Sequence, residues 1–374
     1  MKKRWIALLL ACMMCVGLAA CSSDDGGNTS NPGSTNSSAP SNNDNQNNDN
    51  QGGGEALTLD DVWPQGSTVY FDVPAKAGGG TDLFTRYLTQ ALQEVCPGVN
   101  FVVQNYETSE VGVEHTKNAD PDGMTLVANH GGGIVLYMTG ASNVSMKDDL
   151  KVVGVMNLGG PQAIIAGPNA PYHNLNELGD YIKNNPGEVV IGCALGGTTQ
   201  MIFVNLVDAL TGDSSMANYV QCGSEADKLT QTASGSIDIA NCSIPNALAY
   251  EADGRLTILG TIGPDISTLA TMNELLGEEL PDTYKSGPEQ GIDSAVWNSS
   301  YYLMVPASTP DNICEAINSA IMKASEMDSY IEGHKAMATF VGTLDYEESK
   351  KTLETEWNFL DTLIDDMGLK VEGR

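Results

Sequence analysis

From residue 68 to residue 305 the chain alternates short apolar runs with amphipathic stretches, and this alternation leaves few architectures open. Apolar runs too short for a buried helix are buried on both faces when they form a sheet with helices above and below. The pattern therefore argues for the α/β class, with parallel sheets covered by helices. Strands are expected at 68–73, 100–104, 125–129, 151–155, 162–166, 189–193, 218–221, 237–241, 256–261 and 301–305. Helices are expected at 82–92, 174–184, 199–210, 226–233 and 310–325. In the first of these, Leu83, Phe84, Tyr87, Leu88, Ala91 and Leu92 fall on one face. Near the end, Leu353, Trp357, Leu360 and Ile364 recur at steps of four, three and four, which is the stripe of a helix packed on a core and not a cofactor box. The spacing suits two α/β lobes, and the chain is long enough to bury a core in each.

Ahead of these elements the composition changes twice. Met1-Lys2-Lys3-Arg4 is followed by an apolar run from Trp5 to Ala20 and then Cys21, the order of a secretory signal. Leu18-Ala19-Ala20-Cys21 resembles a bacterial lipobox, which implies cleavage before Cys21 and lipid on that residue. A membrane-spanning anchor is the alternative, but the run is short and strongly polar sequence begins at Ser22. Residues 1–20 are thus expected to be a lipoprotein signal peptide, and 21–56 the lipidated Cys with a tether. The tether is built of Ser, Asn, Gly, Asp, Gln, Thr and Pro, with nothing to bury. Its reach is about 30 Å.

The formal charge is −30, and it moves to −33 when Lys2, Lys3 and Arg4 leave with the signal. That sign excludes nucleic acid and anionic lipid headgroups as ligands. Of the eight cysteines, Cys12 and Cys15 leave with the signal, and Cys96, Cys193, Cys222, Cys242 and Cys314 remain beside Cys21. Buried single thiols are expected, with Cys222 and Cys242 the first pair to test for a disulfide. No Cys-x-x-Cys or His/Cys cluster points to a metal, and no cofactor is expected. His115, His130, His173 and His334 lie in no nucleophile-and-base arrangement, so a hydrolase is disfavoured and the chain is read as a non-enzyme.

Two glycine-rich turns carry the functional argument. Val73-Pro74-Ala75-Lys76-Ala77-Gly78-Gly79-Gly80-Thr81-Asp82 runs from a strand into a helix, and its glycines let a ligand approach the backbone closely. Ile191-Gly192-Cys193-Ala194-Leu195-Gly196-Gly197-Thr198-Thr199-Gln200 has the same construction. Each helix start directs unpaired N–H groups and the positive end of its dipole at the turn, which favours an anion. Neither turn is a nucleotide motif, since spaced glycines and a Gly-Lys-Ser/Thr are missing. Two such turns suggest opposing walls of one cleft.

With the turns in place, the sequence resembles the solute-binding component of tripartite tricarboxylate transporters, the Bug receptors. The resemblance runs in order through Pro74 to Asp82, Pro121-Asp122-Gly123-Met124-Thr125-Leu126, Asn185-Pro186-Gly187, Tyr219-Val220-Gln221-Cys222-Gly223, Ser234-Gly235-Ser236-Ile237-Asp238, Asp253-Gly254-Arg255-Leu256 and Pro306-Ala307-Ser308-Thr309-Pro310. It implies a two-lobed, type II periplasmic-binding-protein-like fold that closes on a small carboxylate and delivers it to multi-span permease subunits. It also implies that the carboxylate sits on backbone N–H groups at Ala77, Gly78, Gly79, Gly80, Thr81 and Asp82 and at Gly196, Gly197, Thr198, Thr199 and Gln200. Asn129, His130 and Asn241, at strand ends, are added as lining residues, with His130 a neutral donor or a structural loop histidine. The sequence departs from the family at Asn105-Tyr106-Glu107-Thr108-Ser109-Glu110-Val111-Gly112-Val113-Glu114, where glycines are expected and acids stand.

The lobes are expected at 57–161 with 299–374, and at 162–298. The first crossing is placed near Gly159-Gly160-Pro161, and the return at 297–305 or, alternatively, 259–263. A monomer is expected, held at the outer face of the membrane by its lipid. The large negative charge leaves a zwitterionic or neutral ligand open beside a carboxylate, and a sensor partner open beside a permease.

Overall fold

The computed structural model describes residues 57–297 and 299–374, which belong to one unit, Gly53–Arg374. The signal sequence, Cys21 and the tether lie outside the described residues. Among the described residues, ten strands form two five-stranded sheets. The first contains β1 (Thr68–Val73), β2 (Asn100–Asn105), β3 (Thr125–His130), β4 (Leu150–Asn157) and β10 (Tyr301–Pro306), in the order β2-β1-β3-β10-β4. The second contains β5 (Gln162–Ala166), β6 (Val190–Cys193), β7 (Asn218–Gln221), β8 (Ile239–Ser243) and β9 (Thr257–Ile262), in the order β7-β6-β8-β5-β9.

The sheets are mixed, which corrects the expectation of parallel ones. In the first, β10 runs antiparallel to β3 and β4; in the second, β5 runs antiparallel to β8 and β9. The reason is the path of the chain. β4 ends at Asn157 and β5 begins after four intervening residues, so β5 enters its sheet from the end where its neighbours finish. β10 does the same on the way back, after β9 has completed the second sheet. The two connections touch: Gly159 has φ +80° and packs against the Ser299 carbonyl, where a Cβ would come within 2.9 Å. A left-handed backbone and a close approach both require glycine there.

The expected apolar faces are buried. On the helix Gly80–Val95, Leu88, Ala91 and Leu92 pack in one core with β1 residues Val69, Phe71 and Val73, while Phe84 is buried against the Tyr301 and His334 rings. Each large side chain so buried contributes roughly 2 kcal/mol. The helix Tyr346–Asp366 lays Leu353, Trp357, Leu360 and Ile364 on a core that includes Val152 of β4 and Phe203 of the helix Thr198–Thr211. That core contains residues of both sheets and ties the lobes together at their junction.

The acidic stretch at 105–114 leads from the end of β2 into a helix, Ser109–Lys117. Gly112 brings it close to the first turn, because a Cβ would stand 3.0 Å from the Pro74 Cα. The helix is fastened by Asp72 of β1, which is fully buried. Its carboxylate accepts from Tyr106 Oη at 3.1 Å and from Thr116 Oγ1 at 2.7 Å, and lies 2.6 Å from His115 Nδ1. Asp72→Ala strands the Thr116 hydroxyl in the core, so urea unfolding should show a loss of about 3 kcal/mol.

All five cysteines of the domain are buried free thiols. Cys222 and Cys242 are therefore not a disulfide. Cys222 follows β7 and Cys242 lies in β8, and β6 stands between those strands. Burial pushes the Cys193 thiol up to about 11 and Cys242 to about 12, which leaves both protonated and unreactive near neutral pH.

Candidate ligand-binding cleft

Strand register gathers the functional ends. Tyr301, the first residue of β10, pairs with His130 at the end of β3 and Asn157 at the end of β4. Gln162, the first residue of β5, pairs with Ser243 at the end of β8 and Ile262 at the end of β9. Since 158–161 joins Asn157 to Gln162, these two sheet ends meet at one gap. A cavity of 370 Å³ occupies it, walled by Gly80, Phe84, His130 and Tyr301 from the first lobe and by Gln162, Thr198, Thr199, Glu225, Asn241 and Ser243 from the second. A second cavity of 180 Å³ shares His130 and Thr198 and adds Thr81, Asn129, Gly132 and Gly197.

Both glycine turns reach these walls. In the first, Gly78 takes φ +85°, and the first full helical bond is from Leu83 N–H to the Gly79 carbonyl. The N–H groups of Gly80, Thr81 and Asp82 therefore have no partner inside the helix. In the second, Gly196 takes φ +72°, and Gln200 and Met201 N–H both bond the Gly197 carbonyl. That leaves Thr198 and Thr199 N–H at the helix start. Two dipole ends thus converge on one gap from different lobes, a setting for a small anion.

His130 caps the helix Gly131–Met138, its Nδ1 accepting from Gly132 N–H at 3.0 Å. Burial pushes the ring down to about 4, so it is neutral near pH 7. With Nδ1 used as acceptor, the inferred tautomer carries its proton on Nε2, a donor. Tyr301 lies 5.5 Å from His130 and 4.8 Å from Phe84 between ring centroids, an aromatic wall beside that donor. Opposite, Asn241 Oδ1 accepts from the buried Lys228 Nζ at 2.7 Å, and Asn241 Nδ2 donates to Gln162 Oε1 at 2.8 Å. These bonds fix both amide orientations and leave the Gln162 NH₂ group as a donor.

Of the residues expected at the site, Gly80, Thr81, Asn129, His130, Gly197, Thr198, Thr199 and Asn241 line one cavity or the other. Ala77, Gly78, Gly79, Asp82, Gly196 and Gln200 line neither. Asp82 turns back to accept from Gly78 N–H at 2.8 Å, from Arg86 and from Asn105. Burial pushes its carboxyl up, yet these donors and the Arg86 charge outweigh it and hold the group below its usual range. Gln200 Oε1 likewise accepts from Gly196 N–H at 2.7 Å. These side chains brace the turns and do not face the gap. Residues the sequence reading missed are Phe84, Gln162, Glu225, Ser243 and Tyr301. Glu225 opens a third strand-to-helix turn, after Cys222-Gly223-Ser224, and that repetition of the turn pattern was its available signal.

A larger cavity of 480 Å³ is lined by Asn205, Ser300, Glu348, Lys351, Glu356 and Phe359 among others. Its lining sets Asp265, Glu348 and Glu356 against the single cation Lys351 and includes neither glycine turn, so the 370 Å³ cavity, on which two helix starts open, is the better anion site.

Comparison with known proteins agrees with this architecture. The model of a family described as the tripartite tricarboxylate transporter family receptor matches residues 97–369. A UPF0065 protein of Bordetella pertussis is 25% identical over 263 residues, covering 70% of this chain and 77% of that protein. A TctC solute-binding protein from Polaromonas, crystallised with no ligand, superposes with a TM-score of 0.64 at 20% identity, covering 80% of this chain and 99% of the other. MatC from Rhodopseudomonas palustris with bound malate superposes with a TM-score of 0.61 at 18% identity, with the same coverage of 80% and 99%.

Proposed function

Because the chain belongs to the tripartite tricarboxylate transporter receptor family, we propose that it is an extracytoplasmic solute-binding receptor that closes two lobes on a small organic acid and passes it to multi-span membrane permease subunits. One observation carries this reading. The starts of two helices, one from each lobe, open with unpaired N–H groups on a cavity of 370 Å³ lined by no Lys or Arg among the described residues. A carboxylate held on backbone N–H groups gains hydrogen bonds from both walls only when the lobes are together, so binding favours closure. Closure also removes water, which strengthens each amide contact. The malate bound by MatC is a small acid of this kind.

The segments 57–161 with 299–374 and 162–298 serve as the moving lobes in this mechanism, with the touching connections at Gly159 and Ser299 as hinge. Lipid on Cys21 and the tether at 21–56 keep the receptor within about 30 Å of the membrane that holds its permease. The receptor acts as a monomer and catalyses nothing: the cleft holds a ligand for transfer to the permease.

A thermal-shift screen of mono-, di- and tricarboxylates and amino acids tests the reading. At least one carboxylate-bearing compound should raise the melting temperature in step with its concentration, because it binds the folded state alone. A panel in which only neutral compounds raise it would sink the anion site at the two turns.

A further inference from the structure

The charges around the cleft narrow the ligand. Among the described residues lining the 370 Å³ cavity, Glu225 is the one acidic or basic side chain apart from His130, which is neutral near pH 7. Glu225 begins the helix Glu225–Ser234, with Ser224 as its cap. Its Oε1 accepts from Ser243 N–H at 3.0 Å, Ser243 Oγ at 2.7 Å and Asn246 Nδ2 at 2.6 Å, which pins the carboxylate to the end of β8. Oε2 accepts from no protein group among the described residues. The cation on the same helix, Lys228, is buried behind Asn241, to whose Oδ1 it gives its Nζ; it lies near enough to attract the Glu225 carboxylate but bonds neither of its oxygens and does not line the cavity.

This arrangement is asymmetric. One carboxylate of a ligand finds donors at both helix starts. A second carboxylate placed towards the second lobe would meet Glu225 with no lining Lys or Arg to offset it, a like-charge contact in a closing, water-poor site. An ammonium in that place would meet an open acceptor and cancel the same charge.

We propose that the ligand is a small zwitterion, a carboxylate carrying a protonated amine, with its carboxylate on the helix-start N–H groups of Gly80, Thr81, Thr198 and Thr199 and its ammonium on Glu225 Oε2. The inference rests on the receptor reading above and gives that reading its substrate class. Glu225 acts here as the specificity residue: it rejects dianions and selects amines.

The test is isothermal titration calorimetry on the purified receptor and its E225Q variant, using matched pairs of acids with and without the amine. The pairs are alanine and propionate, aspartate and succinate, glutamate and glutarate, and 4-aminobutyrate and butyrate. The substituted amide keeps a carbonyl oxygen for Ser243 and Asn246 and gives up only the attraction of the charge to the helix start and to Lys228, so the ligand-free melting temperature should fall by no more than a few degrees. In at least one pair the aminated member should bind about tenfold or more tighter than its partner, and E225Q should weaken it by about tenfold or more. The deaminated partner should bind the variant as well as, or better than, the wild type. Tighter binding of a deaminated acid to the wild type, or equal weakening of both members by E225Q, overturns the zwitterion and leaves a carboxylate receptor standing. Binding of no member of any pair overturns the zwitterion, and the wider carboxylate screen described above then decides the receptor reading by itself.

Discussion

At pH 8, Glu356→Gln is expected to stabilise the protein by about 3–4 kcal/mol, while at pH 4.5 it should change stability little. Glu356 is 5% exposed on the helix Tyr346–Asp366. Its Oε2 accepts from Tyr302 Oη at 2.5 Å and from Ser300 N–H at 3.3 Å, while Oε1 has no partner and abuts Gly131. Burial pushes the carboxyl from 4.5 up to about 8, and the two donors offset only part of that. The unfolded chain ionises this group above about 4.5, but the folded chain keeps the proton until about 8. Between those values the native state binds more protons than the unfolded one, so stability falls as pH rises and levels off above about 8. The whole displacement corresponds to roughly 4–5 kcal/mol at about 1.4 kcal/mol per unit. An amide still accepts from Tyr302 and Ser300 and carries no charge to bury. Its own N–H₂ beside Gly131 takes back about 1 kcal/mol. Urea unfolding at pH 4.5, 6 and 8 separates the outcomes. A gain of the same size at every pH, or a loss at pH 8, would show that the carboxyl is not held protonated.

The sequence made some of this legible and hid the rest for identifiable reasons. Strand β5 is bounded by Gly159-Gly160-Pro161 and Gly167, so its limits could be read off the chain. The helix Gly80–Val95 was visible from its apolar face, though it begins two residues earlier than that face suggests, at the glycine end of the turn. Direction was not legible. Periodicity is the same for a parallel and an antiparallel strand, so β5 and β10 read as ordinary members of their sheets. The helix Ser109–Lys117 was masked because Val111 and Val113 are its only large apolar residues. The helix Gly131–Met138 was masked by three glycines in its first turn. At the site, both turns could be found from their glycines, but not which members face the gap. Asp82 and Gln200 have the residue types of a polar lining and instead fold back onto Gly78 and Gly196. Glu225 was hidden for the opposite reason: an acid in a helix's first turn is what the dipole alone would select.

Gly132→Ala is expected to weaken binding of the best ligand from the carboxylate and amino-acid panel by about 100-fold, or roughly 2.7 kcal/mol, with the fold intact. A Cβ at Gly132 would collide with His130 Cε1 and stand 2.8 Å from its Nδ1, both far inside contact distance. It would also stand 3.0 Å from Thr198 Oγ1 on the facing lobe. The imidazole must therefore leave its place, which breaks the bond from Gly132 N–H to Nδ1 and turns the Nε2 donor away from the cleft. The same methyl presses on Thr198, whose N–H belongs to the second helix start, and holds the lobes apart where they would close. Stability is affected far less. Gly132 lies in the first turn of the helix Gly131–Met138 and is not among the glycines with positive φ, so alanine meets no backbone strain. In a helix alanine is favoured over glycine by up to about 1 kcal/mol, which offsets part of the displaced histidine. Calorimetric titration of the variant, beside the melting temperature of its ligand-free form, reads both quantities. Unchanged affinity would remove His130 and Thr198 from the binding site. A collapse of the ligand-free melting temperature would assign Gly132 to the fold, and an undisturbed melt with lost binding would assign it to the cleft.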